Sequence, residues 1–269
     1  MAARLAALRA AAKIVVSAGA ICCDTAASVF IVNISSAIFE CSAPDLDACP
    51  DESLPEFAFI GRSNVGKSSL LNLLAGQNGL ARTSPTPGFT KLINFFTMNQ
   101  TWRLVDLPGY GFAAGAKKLS AKFNRAVLNY LEQRPNLSLV FALIDSELPP
   151  QEMDVEFIGW LAENAVPFVL VFTKTDKCAP AIVNANIAAF TARIADWFTQ
   201  PPASFRCSAT AKHGRHELLA VIDELLVAIQ AESGSLASDP EAAAEISPTK
   251  KKLKQLPKRR PDIDAARPW

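Results

Sequence analysis

The sequence has no C-x-x-C pair among its six cysteines (Cys22, Cys23, Cys41, Cys49, Cys178 and Cys207), and its two histidines, His213 and His216, have no cysteine at ligand spacing. That argues against a zinc site and leaves reduced, mostly buried thiols as the expectation. Net charge is only +1, so the chain as a whole carries no bulk preference for nucleic acid or membrane. The apolar run Ile14–Cys22 is too short to cross a bilayer, which takes about 20 residues. No acid precedes Asp24, and the Ala-rich stretch before it carries Arg4, Arg9 and Lys13. A transit peptide, an upstream extension without function and a secretory signal compete there. The missing acids fit a transit peptide and the scarcity of serine does not. Of the three, the secretory signal ranks last.

What is present is a chain of 269 residues, half of them hydrophobic. That is enough for one large domain with tails, or for two small ones. The stretch 61–69, GRSNVGKSS, sits between an apolar strand pattern (Phe57-Ala58-Phe59-Ile60) and a helix pattern (Ser69–Leu74). A strand that turns into a helix through G-x-x-x-x-G-K-[ST] is the context of a phosphate-binding loop. Its N–H groups curl inward, and the helix N-terminus adds its positive dipole end. Gly61, Arg62, Ser63, Asn64, Val65 and Gly66 form the curl, Lys67 reaches the β- and γ-phosphates, and Ser68 offers a hydroxyl to Mg²⁺.

Further strands are expected at 56–61, 92–97, 101–106, 137–144, 167–172 and 203–207, with an extra strand or two over Ser28–Phe39. The unbroken apolar runs at 137–144 and 167–172 suit strands buried on both faces. Helices alternate with them at 67–76, 117–133, 151–165, 184–199 and 214–230. This alternation predicts a three-layer α/β domain with a mainly parallel, six-stranded sheet and ligands at the strands' C-terminal ends. The short link Met98-Asn99-Gln100 makes one strand antiparallel. The boundaries expected are an extension over 1–36, a domain over 37–231 and a disordered tail over 232–269. That tail holds seven Lys or Arg and no acid over 250–260.

Four more stretches fall at strand ends. Asp106-Leu107-Pro108-Gly109 follows a strand: the aspartate holds Mg²⁺ through water, and the Gly109 N–H reaches the γ-phosphate. Thr86-Pro87-Gly88-Phe89-Thr90 lies after the loop helix, where a threonine completes the Mg²⁺ shell and senses the γ-phosphate. By chemistry Thr86 and Thr90 both qualify. Thr173-Lys174-Thr175-Asp176 ends another strand. Its carboxylate accepts from guanine N1–H and the exocyclic amine together, whereas adenine would leave a buried Asp176 unpaired, a discrimination of about 10⁴. Lys174 lays its stem over the base, and the Thr173 hydroxyl ties this loop to the phosphate loop. Cys207-Ser208-Ala209 ends the last strand and offers a backbone N–H to the guanine O6.

Together these stretches closely resemble the EngB family of ribosome-biogenesis GTPases. The resemblance rests on GRSNVGKSSLLN (61–72), ARTSPTPGFTKLINFF (81–96), LVDLPGYGFA (104–113), TKTD (173–176) and CSA (207–209), with FECSAPDLDACP (39–50) and LIDSELPPQEMD (143–154) in support. It implies a P-loop GTPase fold that binds GTP, GDP and Mg²⁺, with Ser68 and Thr90 as direct metal ligands. Gly88, Phe89, Thr90, Lys91 and Leu92 would lie along the nucleotide, and Lys67, Thr90, Gly109 and Asn64 would act in hydrolysis. It also implies a role in assembling the large ribosomal subunit, a link to cell division and septation, a monomer, no stable membrane association, and the cytoplasm as location. A mitochondrion or plastid is the alternative if residues 1–23 are a transit peptide.

Tyr110 occupies the position where many GTPases carry a water-orienting glutamine, so slow intrinsic hydrolysis is expected. In related GTPases an asparagine at the position of Asn64 helps bind K⁺; capping of the loop by a hydrogen bond is the alternative. Tyr110–Ser120 reads as a mobile second switch. Lys117, Lys118, Lys122 and Arg125 then place basic charge on one helix, either as a solvated face or as an RNA contact, and the basic tail is a second RNA candidate.

Overall fold

The computed structural model describes residues 33–81, 92–110 and 117–236. Strands are β1 (Ala37–Ala43), β2 (Glu56–Gly61), β3 (Ile93–Met98), β4 (Trp102–Asp106), β5 (Leu137–Asp145), β6 (Phe168–Thr173) and β7 (Ser204–Arg206). Helices are α1 (Lys67–Ala75), α2 (Lys117–Gln133), α3 (Glu152–Glu163), α4 (Pro180–Ile194) and α5 (Arg215–Leu236). The strands form one sheet in the order β1-β3-β4-β2-β5-β6-β7. β3 alone runs antiparallel to both its neighbours, and the β2–β4, β2–β5, β5–β6 and β6–β7 pairs are parallel.

Successive residues of the central strands feed two cores. Phe57, Phe59, Leu139, Phe141, Val169 and Val171 pack with Leu70, Leu71 and Leu74 of α1 and Leu218, Ile222 and Leu225 of α5. Ala58, Ile60, Val140, Ala142, Leu170 and Phe172 pack with α2, α3 and α4 through residues such as Leu131, Ile158 and Phe190. β5 is buried along its whole length, as its unbroken apolar sequence requires. The result is the three-layer α/β arrangement expected, with the crevice at β2, from which the chain winds first to one side and then to the other.

Three details differ from expectation. The sheet has seven strands, not six. The additional strand lies at Ala37–Ala43 rather than over 28–39, since its residues pair with Ile93–Met98; residues 28–32 lie outside those described. Helix α4 starts at Pro180 and ends at Ile194, with a short 3₁₀ turn at Ala195–Trp197. Proline favours the first helical turn because its missing N–H has no partner there. Helix α5 continues past 231 to Leu236. Residues 1–32 and the basic run 250–260 lie outside the described residues.

The β3–β4 hairpin turns through Asn99 (φ 49°) and Gln100 (φ 60°), with Thr101 N–H donating to Met98 O at 3.0 Å. Positive φ at both central residues matches the sheet's right-handed twist. The Asn99 side chain accepts from Ser35 N and Ser36 N and donates to Asn33 O, which ties the entry of β1 to the hairpin. At the same end of the sheet as this hairpin, away from the crevice, Glu56 is fully buried. It accepts from Tyr130 Oη (2.7 Å) and from Arg134 Nε and a terminal guanidinium nitrogen (2.9 and 2.7 Å).

Candidate nucleotide-binding site

The C-terminal ends of β2, β4, β5 and β6 present Gly61, Asp106, Asp145 and Thr173, and the segment just past β7 adds Cys207 and Ser208. Between β2 and α1 the chain curls through residues 62–66. Asn64 takes φ 65° and Gly66, the residue capping α1, φ 99°. Asparagine is among the few side chains that tolerate this region. At Gly66 there is open space for a Cβ, so backbone conformation rather than crowding is what calls for glycine. Helix α1 begins immediately at Lys67, and its first N–H groups face the curl. The far end of α1 is capped by Arg215 of α5, which donates to Leu73 O and Leu74 O at 2.9 and 3.0 Å. A cation there complements the helix dipole.

Lys67 is buried and forms an ion pair with buried Asp106. Ser68 sits in the first turn of α1 with its side chain half-buried. Its hydroxyl and the Asp106 carboxylate are hard oxygen donors, the chemistry a Mg²⁺ site needs.

The base loop is tied to the phosphate loop through Thr173. Thr173 Oγ1 donates to Val65 O at 2.6 Å and lies 3.2 Å from Ile144 O. Ser146 Oγ in turn donates to Thr173 O at 2.6 Å. Lys174 takes φ 58° and its ammonium bonds Asp145 Oδ2 at 2.6 Å, which lays the side chain from β6 towards β5. The Cys207-Ser208 segment packs onto the same loop. Thr175 N–H and Oγ1 both donate to Cys207 O, at 3.3 and 3.2 Å. Ser208 Oγ donates to Asp176 Oδ1 at 2.6 Å and accepts from Ala211 N–H at 2.9 Å. The Ser208 bond holds the Asp176 carboxyl below its ordinary range, so it is a ready acceptor at neutral pH. Asp176 is exposed, open to a ligand. It lies beyond the end of β6 in a turn closed by Lys177 N–H to Lys174 O at 3.0 Å.

Thus Gly61–Ser68, Asp106–Gly109, Thr173–Asp176 and Cys207–Ala209 converge on one edge of the sheet. Leu92 is exposed just before β3. Thr86, Gly88, Phe89, Thr90 and Lys91 lie outside the described residues. So do residues 111–116 of the expected second switch and the side chains of Lys117, Lys118 and Lys122.

Sequence reasoning missed three contributors. Asp145 anchors Lys174, and an acid closing the apolar strand LVFALID was the available signal. Ser146 supports Thr173. Asp154 of α3, buried, binds Arg62 of the phosphate loop at 2.9 Å and accepts from Tyr110 Oη at 3.0 Å. No local pattern marks it, because its partners lie far away in sequence.

A glycine-rich strand-to-helix turn, a lysine in it and an aspartate-bearing loop tied to it define a P-loop GTPase. A family profile described as "50S ribosome-binding GTPase" matches residues 56–174. The probable GTP-binding protein EngB of Phocaeicola vulgatus is 45% identical over 194 residues, covering 72% of this chain and 97% of that protein. The corresponding protein of Cytophaga hutchinsonii is 47% identical over 190 residues, covering 71% and 96%. The chain therefore belongs to the EngB family of GTP-binding proteins. A crystal structure of a probable GTP-binding protein EngB shares the fold, with a TM-score of 0.51 at 24% identity, covering 64% of this chain and 98% of that one. As a member, the protein binds guanine nucleotides and hydrolyses GTP.

Proposed function

We propose that the protein is a slow GTPase that acts in assembly of the large ribosomal subunit and, through it, supports normal cell division and septation. The family profile, whose description names 50S ribosome binding, supports the ribosomal part. The observation that carries the nucleotide part is the bond from Thr173 to Val65, which fixes the base-reading loop relative to the phosphate loop. With that spacing set, Asp176 reads guanine while Lys67 and the N–H groups of residues 62–68 grip the phosphates.

Ser68 and Thr90 would ligate Mg²⁺ and Asp106 would hold its water shell; when bound, the ion neutralises charge on the β- and γ-phosphates. Lys67 moves from Asp106 to the phosphates, and the Gly109 N–H faces the γ-phosphate. Asn64 lies beside this site and is the residue through which K⁺ would act. Rates compared in KCl and NaCl decide that point, and equal rates remove the ion.

Tyr110 favours a second reading, a nucleotide-gated module for which hydrolysis is minor. Its hydroxyl binds Asp154 and so does not orient an attacking water. Single-turnover GTP hydrolysis with and without purified large subunits separates the two. The assembly-GTPase reading expects acceleration by the subunit; nucleotide-dependent binding without acceleration selects the module. Among the described residues no helix is long and apolar enough to cross a membrane, and action as a monomer in the cytoplasm is the location and state we assign.

A further inference from the structure

Asp154 lies in the first turn of α3, outside the ring of groups that would touch nucleotide, yet it binds two segments that would. Arg62 Nε donates to both of its oxygens, at 3.0 and 2.9 Å. Tyr110 Oη donates to Oδ1 at 3.0 Å. The Tyr110 ring packs on Phe157, one turn further along α3, with centroids 4.6 Å apart. Asp154 is almost fully buried, whereas Arg62 is about one-fifth exposed.

The same residues are joined through the main chain. Tyr110 N–H donates to Gly61 O at 3.2 Å, and Ser63 N–H donates to Tyr110 O at 3.3 Å. Arg62 and Tyr110 thereby form a parallel bridge that extends the β2–β4 pairing beyond both strands. Gly109 is pressed against the phosphate loop: a Cβ there would lie 3.0 Å from Gly61 O and 3.2 Å from Ser63 N. A Cβ there would crowd the backbone, and the phosphate loop would have to give by a few tenths of an ångström to accept it.

An acid in the first turn of a helix is favourable through the dipole alone, and that would account for Asp154 were it exposed. It does not account for a buried carboxylate whose two side-chain partners are Arg62 of the phosphate loop and the residue directly after Gly109. We propose that Asp154 is a positioning residue for the γ-phosphate contact. By holding Arg62 and Tyr110 together it keeps the Gly109 main chain against the phosphate loop, and so favours a nucleoside triphosphate over a diphosphate. The proposal rests on the GTP reading of the site. It adds that discrimination by phosphate number depends on a side chain that touches no phosphate.

The test is equilibrium binding of fluorescent GDP and of a non-hydrolysable GTP analogue to the full-length chain, as wild type, Asp154→Ala, Asp154→Asn and Tyr110→Phe. Losing one charge-assisted anchor should weaken the GTP analogue about tenfold in Asp154→Ala. GDP, which lacks the phosphate that Gly109 meets, should change less than about twofold by the same reasoning. Tyr110→Phe should shift the ratio in the same direction by a smaller factor, with Asp154→Asn between the two. A merely structural role would weaken both nucleotides together. Equal weakening of GTP and GDP, or no change in either, overturns the proposal. Should Asp154→Ala fail to fold, Tyr110→Phe decides on the same ratio. A wild-type protein that binds neither nucleotide overturns the GTP reading itself, a result distinct from a wild type that binds both while its variants keep the ratio.

Discussion

Thr173 Oγ1 and the carbonyl oxygen of Val65 lie 2.6 Å apart, and this bond joins the loop after β6, proposed to read the base, to the glycine-rich loop after β2, proposed to grip the phosphates. The bond is buried, so water does not replace it cheaply. Replacing Thr173 with valine keeps the shape and leaves Val65 O without this donor. Stability should fall by about 1–2 kcal/mol, and GTP and GDP affinities should fall together, since both ligands need the base and the β-phosphate. Chemical denaturation paired with nucleotide titration checks both, and a variant that weakens one nucleotide alone would contradict the account.

Ser208 tunes Asp176 in the same way. Its hydroxyl is the largest influence holding that carboxyl below its ordinary range. Protonation would remove an acceptor that guanine needs, so GTP affinity should hold down to mildly acid pH and decline only as pH falls through the lowered pKa. In Ser208→Ala the decline should begin at higher pH. Affinity profiles that superimpose for the two proteins would argue against this coupling.

The Glu56 cluster predicts a loss of stability without a change in base preference. Glu56 is fully buried and Arg134 nearly so, and their ion pair lies at the end of the sheet opposite the nucleotide. Glu56→Ala strands the Arg134 charge and should cost about 3–5 kcal/mol. The preference for GTP over ATP in the folded fraction should be unchanged, as read by nucleotide competition.

For Asp154, stability and function should part company. Burial pushes its carboxyl above the ordinary range, against the pull of Arg62 and Tyr110. A group whose folded pKa exceeds its unfolded pKa contributes stability that is present below the unfolded value and is lost as pH rises through the folded one. Relative to Asp154→Asn, the wild type should therefore be comparatively more stable near pH ~4 than near pH ~7. Melting temperatures of both proteins across that range test the sign, and a wild-type advantage that grows towards neutrality would contradict it.

Burial also pushes the thiols of Cys49 and Cys207 up to about 12. Both stay protonated near neutral pH, and the thiolate is the reactive form. Alkylation of these two should be slow in the folded protein and fast after denaturation, as followed by peptide mass mapping. Rapid folded-state labelling of Cys207 would mean that the segment beside the base loop opens.

The crevice was largely legible because its chemistry is local. The glycines and lysine of 61–68 fall at fixed spacing between an apolar strand and an amphipathic helix, and the runs at 137–144 and 167–172 have no polar interruption that would fit a half-exposed strand. β1 was less legible. As an edge strand it is mixed in character, AIFECSA with only its two end residues buried, and its position follows from pairing with β3 rather than from its own pattern. The length of α5 was hidden by Ser233-Gly234-Ser235, a composition more typical of linkers. Asp145 and Asp154 read as ordinary acids until the fold brings Lys174 to one and Arg62 and Tyr110 to the other.

The most direct test of the account is competition of GTP, GDP and ATP for the purified wild-type protein and for Asp176→Asn. The account predicts that GTP and GDP displace a fluorescent guanine nucleotide from the wild type at concentrations where ATP does not, and that Asp176→Asn loses most of this preference. ATP binding as tight as GTP binding, or an Asp176→Asn protein with unaltered base preference, would contradict it.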